Sequence, residues 1–174
     1  DNVIDSNDKV AIGHSTTAPE IYYNFHLGAE WKGLGFYALF QGTGNYSAIL
    51  NTKSMYWPLV GNTTISQYAY DNRWTEATAA TAMFPRLSSQ SNANNYQTST
   101  LWLADRSFLK LRNIEVYYNL PQSLLAKTKV VNGAKLYIRG VDLLCFSHLE
   151  KSDPEAYGVM PLTKSIAVGL SVIF

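Results

Sequence analysis

The stretch IYYNFHLGAEWKGLGFYALFQG, residues 21–42, decides the fold class. Its first half alternates strictly. Ile21, Tyr23, Phe25, Leu27, Ala29 and Trp31 lie on one face, and Tyr22, Asn24, His26, Gly28 and Glu30 lie on the other. A period of two is the signature of a β-strand with one apolar side. KGLG (32–35) reads as a short turn, and FYALFQG (36–42) as the return strand. Phe36, Ala38 and Phe40 continue the apolar face, while Leu39 falls on the polar one.

Three more strands follow downstream. SFLKLRNIEVYYNLP (107–121) alternates, but its phase slips between Leu111 and Ile114, which predicts a bulge near Arg112–Asn113. AKLYIRGVDLL (134–144) is the next strand, and LTKSIAVGLSVIF (162–174) is the last. PQSLLAKTKVVNG (121–133) reads as a helical turn ended by Asn-Gly. Two polar stretches remain, 43–105 and about 146–160. The first is far longer than the usual connection of about 4–6 residues. Its Tyr and Trp content predicts a folded, partner-contacting loop rather than a linker.

The 174 residues suffice for a real core, and the net charge of +1 predicts no broad attraction to nucleic acid. One cysteine, Cys145, leaves no internal disulfide framework. No apolar run is long enough for a transmembrane helix, but a membrane β-strand needs only about 9–11 residues, half of them apolar. His14, His26 and His148 have no metal-ligand spacing, and no G-x-S-x-G elbow or other catalytic signature occurs. The expectation is a non-enzyme.

Connection lengths suggest an orientation. With the last strand running inward to Phe174, every long connection falls on one side and every short one on the other, as in outer-membrane barrels. Trp31, Phe36, Tyr118 and Phe174 then gather at the inner end as an aromatic girdle. Glu30, Glu115 and Arg139 keep to the polar face. Asp142 is the misfit and needs either a bulge after Gly140 or a place above the hydrocarbon. The same alternation would serve a soluble β-rich module with its apolar face inward, using the aromatic loop to bind a glycan.

The first residues, DNVIDSNDKVAIG (1–13), match the back half of a calcium loop. With Asp1 at loop position five, Val3 offers its carbonyl at seven, and Asp5 and Asp8 fall at nine and twelve. Calcium is therefore a candidate cofactor, the competing reading being a turn that caps its own backbone with Asp side chains. In the long loop, Tyr56, Trp57, Arg73, Trp74 and Trp102 combine aromatic faces with polar tips. They are the candidates for substrate or partner contact.

Taken in order, DNVIDSNDKVAIG, TAPEIYYNFHLGAEWKG, DNRWT, FPRLS, STLWLADRSFLKLRNIEVYYNLP, DPEAYG and PLTKSIAVGLSVIF resemble the C-terminal portion of SusC/RagA-type TonB-dependent outer-membrane transporters. The resemblance implies an all-β fold, the last five antiparallel strands of a large transmembrane β-barrel of roughly 22 strands with long extracellular loops. All of 1–174 would be barrel, with the plug and the N-terminal strands absent from this chain. It further implies nutrient import, of oligosaccharide or peptide, at the outer membrane of a Gram-negative bacterium. The implied partners are a SusD-like surface lipoprotein, the TonB complex (through the absent N-terminal part), the remainder of the barrel and outer-membrane lipid. Leu170, Val172 and Phe174 match the family's barrel-assembly signal. Arg106 departs from the family pattern, which has a small residue there.

Overall fold

The computed structural model describes residues 5–52, 64–90, 92–149 and 152–174. They form two compact units, one from the described residues within 1–20 and 45–106, the other from those within 21–44 and 107–174.

The second unit is a five-stranded antiparallel sheet of β1 (Ile21–Trp31), β2 (Leu34–Gly44), β5 (Phe108–Asn119), β6 (Gly133–Ser147) and β7 (Ser165–Ile173), in that spatial order. A two-stranded ribbon, β3 (Ser47–Ile49) and β4 (Leu103–Asp105), belongs to the first unit. No described helix is long and apolar enough to cross a membrane.

The register carries the alternation across the whole sheet. Ala29, Phe36, Val116, Ile138 and Val168 are successive cross-strand partners, one on each strand. The next row is Gly28, Tyr37, Glu115, Arg139 and Ala167. One face is therefore apolar over all five strands and the other polar. The apolar face is open, with Ile138 54 % and Val168 76 % exposed. Phe25 and Phe40 stack on it with centroids 4.9 Å apart. A sheet held in water by its own chain would hide such a face.

The hairpin turn is tighter than KGLG suggests. Trp31 pairs with Leu34, leaving Lys32 and Gly33 alone at the turn, both at positive φ (49° and 87°). This is the handedness that matches strand twist in two-residue hairpins. A Cβ on Gly33 would stand 2.7 Å from the Asn119 carbonyl oxygen. Gly33→Ala is therefore expected to cost the full-length protein about 1–2 kcal/mol from the left-handed backbone, plus whatever the clash adds. An unchanged urea midpoint in detergent would show that the turn tolerates a side chain.

The phase slip at Arg112 is real. Leu39 and Phe40 of β2 face Asn113 and Leu111, so Arg112 is an extra residue on β5. On β6, Asp142 and Leu143 stand between the partners of Leu111 and Asn113. Asp142 adopts φ 53° there, a left-handed conformation that aspartate tolerates better than most residues. The two anomalies of the sequence, the slip at 112–113 and the misplaced Asp142, are thus one double bulge. Leu39 does stay on the polar face, half-buried opposite His26 and Asn113.

Three other boundaries move. β6 runs on to Ser147, so the polar stretch after it starts later than residue 146. The turn after β5 contains a helix, α2 (Gln122–Leu125), and a 3-10 segment, Ala126–Thr128. It ends at Lys129 (φ 57°) and not at Asn132-Gly133, because the Thr128 hydroxyl donates to the Leu125 carbonyl and accepts from Val131 N–H. The stretch 43–105 is not patternless, since it holds β3, β4, 3-10 turns and the helix α1 (Gln67–Asp71).

Candidate functional site: a folded loop unit and a charged sheet face

The first unit has its own core of Ala69, Phe84, Tyr96 and Trp102. Ser66 caps α1 by accepting from Ala69 N–H, which sets Ala69 inward. Asn72 then takes the N–H groups of Met83 and Phe84 on its carbonyl, and Trp74 N–H bonds to Phe84 O at 2.9 Å. These bonds draw Phe84 back onto the helix. Trp102 stacks on Phe84 at 5.9 Å and on Tyr96 at 5.6 Å, and its indole N–H donates to the Asn95 carbonyl at 2.8 Å. Burial pushes the Tyr96 phenol above its ordinary pKa.

The contact residues expected from the sequence separate here. Trp102 is 0 % exposed, so it is a core residue and not a contact residue, because its ring completes the aromatic stack. Arg73 lies over the Tyr70 ring at 3.7 Å and donates to the Tyr70 carbonyl. Trp74 is exposed and walls a surface cleft of about 460 Å³ with Met83, Leu101, Arg86 and Asn95. Tyr56 and Trp57 lie outside the described residues. Arg106, unexplained in the sequence, places its guanidinium 4.4 Å over the Tyr46 ring.

Of the half calcium loop, Asp1 and Val3 lie outside the described residues. Asp5 and Asp8 form a reciprocal capping box on a 3-10 turn: Asp5 accepts from Asn7 N–H at 2.7 Å, and Asp8 accepts from Asp5 N–H at 2.8 Å. Among the described residues no group of three His, Cys, Asp or Glu side chains could hold a metal ion. In the last strand, Leu170 and Val172 pair with Leu136 and Ala134 on the apolar face, and Phe174 follows the strand, exposed.

The polar face of the sheet holds the densest electrostatics. Near the double bulge, Lys110 is 3 % exposed; its Nζ donates to Asp153 Oδ1 at 2.8 Å and to Glu155 Oε2 at 3.1 Å. Arg112 donates to Gln41 through Nε (3.0 Å), to Asp142 through Nη1 (2.7 Å) and to both Glu155 oxygens through Nη2 (2.8 and 2.9 Å). The bulge brings Arg112 and Asp142 together. Burial pushes the Asp153 carboxyl up, but the hydrogen bond from Lys110 and the backbone N–H groups of Glu155 and Leu162 outweigh it and hold the group below its ordinary 3.8. A depressed carboxylate pKa means stability that is present above the ordinary value and lost as pH falls through the folded one. The Asp153 contacts are thus expected to survive mild acid and fail below about pH 4. Amide exchange in 152–162 that is already fast at pH 5 would contradict this.

Closer to the hairpin turn, Glu115 pairs with Lys135 at 2.6 Å and with Arg139 directly across the strands. Tyr117 O–H donates to Glu30 at 2.8 Å. The sequence pattern signalled none of these partnerships; it marked Asp142 only as a misfit and kept Glu30, Glu115 and Arg139 on the polar face.

No family model matches the chain. It is 27 % identical over 191 aligned residues to TonB-dependent receptor P26 of Formosa agariphila, covering 100 % of this chain and 19 % of that protein. TonB-dependent receptor P3 of the same organism is 31 % identical over 90 residues, covering 42 % of this chain and 9 % of that protein. Among solved structures, the RagAB peptide importer in its open-open state superposes with a TM-score of 0.75 at 31 % identity, over 99 % of this chain and 19 % of the matched chain. Its closed-closed state gives 0.75 and 31 % over 98 % of this chain. The chain spans about one fifth of the length of these relatives, which are named as receptors and transporters rather than enzymes. With its antiparallel sheet and two-sided register, the chain is similar over its whole length to part of a TonB-dependent receptor and of the RagAB importer, which supports a SusC/RagA-type fragment.

Proposed function

We propose that this chain is the C-terminal part of the barrel of an outer-membrane nutrient importer, contributing five strands to a wall of roughly 22. The observation that carries this is the apolar face running unbroken over all five strands. β1 and β7 are both edges of the described sheet. In a bilayer their free N–H and C=O groups need further strands, since a spanning sheet must close on itself. The apolar face meets lipid and the polar face lines the lumen. The loop unit belongs outside the cell, where a SusD-like surface lipoprotein covers the mouth. TonB acts through segments beyond these residues. The cargo is an oligosaccharide or a peptide, the second in keeping with the relative named a peptide importer.

The test is fractionation of the full-length protein. It is expected in the outer-membrane fraction, soluble only with detergent, with a folded band that shifts on SDS gels after boiling. Recovery of a folded monomer from plain buffer would favour the soluble glycan-binding module instead. Calcium at Asp1, Val3, Asp5 and Asp8 is a separate proposal, resting on spacing alone. It requires Asp5 and Asp8 to leave their capping box, and metal analysis of the purified protein, with Asp8→Asn beside it, decides it.

A further inference from the structure

The residues after β6 are held against the sheet by side chains far away in sequence. Asp153 and Glu155 reach Lys110 and Arg112 of β5 across 43 to 45 positions. Asp153 also closes the segment on itself, its two oxygens accepting from Glu155 N–H (2.9 Å) and Leu162 N–H (3.2 Å). Segment 152–162 is therefore a strap clasped to β5 through Asp153 and Glu155. Its tip, Val159 and Met160, is exposed. The clasp is also asymmetric, because Asp153 is 12 % exposed while Glu155, on the outer side, is 34 % exposed.

The charges around the clasp change sign with its state. Lys110 and Arg112 face Asp142, Asp153 and Glu155, two cations against three carboxylates. Lifting the strap removes Asp153 and Glu155 and leaves the two cations with Asp142 alone. The local balance goes from minus one to plus one. Charge-assisted hydrogen bonds such as those from Arg112 Nη2 to Glu155 are among the stronger polar interactions, and a cation as enclosed as Lys110 is costly to leave unpaired. The wall exposed by lifting would therefore attract a replacement carboxylate.

We propose that the strap is a charge switch on the polar wall, shut by its own Asp153 and Glu155 and opened by cargo that carries carboxylates. The shared chemistry is the carboxylate, supplied by an acidic peptide or by a uronic-acid glycan. The proposal rests on the importer reading for where the wall faces, but the strap itself does not depend on it.

The test is amide exchange, followed by mass spectrometry, on the full-length protein in detergent. Glu155 and Leu162 amides should be protected at rest. Asp153→Asn with Glu155→Gln should speed their exchange at least tenfold while β5–β7 stay protected. Lys110→Met is the second variant and should act in the same direction. Triglutamate and digalacturonate are the anionic probes, with maltohexaose as the neutral one. Either anion should raise strap exchange at least threefold, and the one that does so names the source. Unprotected strap amides, no response to the double variant, no response to either anion, or an equal response to the neutral sugar would overturn the switch. Failure of the importer reading would look different, with no detergent requirement and no heat-shifted band whatever the strap does.

Discussion

Trp102→Ala is expected to unfold the loop unit and leave the five-stranded sheet standing. Among the described residues the unit's core cluster has four buried members, and Trp102 is the largest of them, stacked on two of the others. Truncating a buried tryptophan costs about 3–5 kcal/mol through lost transfer energy and the cavity left behind. The part-buried Asn95 carbonyl also loses its indole donor, a hydrogen bond worth about 0.5–1.5 kcal/mol. A core this small has few neighbours able to collapse into the gap. In the full-length protein, amide protection is expected to vanish across 64–106 and to persist in β5, β6 and β7. Trp102→Phe keeps a stacking ring and should lose much less. Equal protection in wild type and Trp102→Ala would mean that the aromatic stack does not hold the unit together. Loss of protection in the sheet as well would mean that the two units do not unfold separately.

The second large effect separates the two faces at one depth. Val168 and Ala167 are neighbours in β7, the first opposite Ile138 on the apolar face, the second opposite Arg139 on the polar face. Arginine on the lipid side of a barrel costs about 2–4 kcal/mol near the bilayer midplane. For Val168→Arg this is roughly a 30- to 700-fold fall in the folded-to-unfolded ratio in lipid vesicles. Ala167→Arg meets water and the Glu115–Arg139 pair, so like-charge repulsion costs it at most about 1 kcal/mol. Folding titrations of the two variants, read from the heat-shifted band, should differ by at least about fivefold. If they fold alike, or if the order reverses, the apolar face does not meet lipid.

The strands were readable in advance because β alternation is local. Each residue's side is set by its neighbour's, so IYYNFHLGAEW shows its faces without any partner strand. The bulge was readable for the same reason, as a break of phase within SFLKLRNIEVYYNLP. The resemblance to TonB-dependent transporters was legible too, since it rests on ordered motifs. The boundaries that moved depended on particular bonds, such as the Thr128 hydroxyl that stops the turn at Lys129.

Side-chain partnerships obey no such period. Trp102 and Trp74 look equally suited to contact a ligand, and only Phe84 and Tyr96 closing on Trp102 send one into the core and leave the other exposed. Asp142 is a misfit by parity until Arg112, 30 positions away, meets it at the double bulge. The clasp of Lys110 and Arg112 on Asp153 and Glu155 is longer-ranged still, and nothing in the local pattern of either segment marks it. The hydrophobic period, being a property of neighbours, determined strand and face; the charge pairs and the aromatic core, being matters of distance between remote residues, were decided only when the chain folded back on itself.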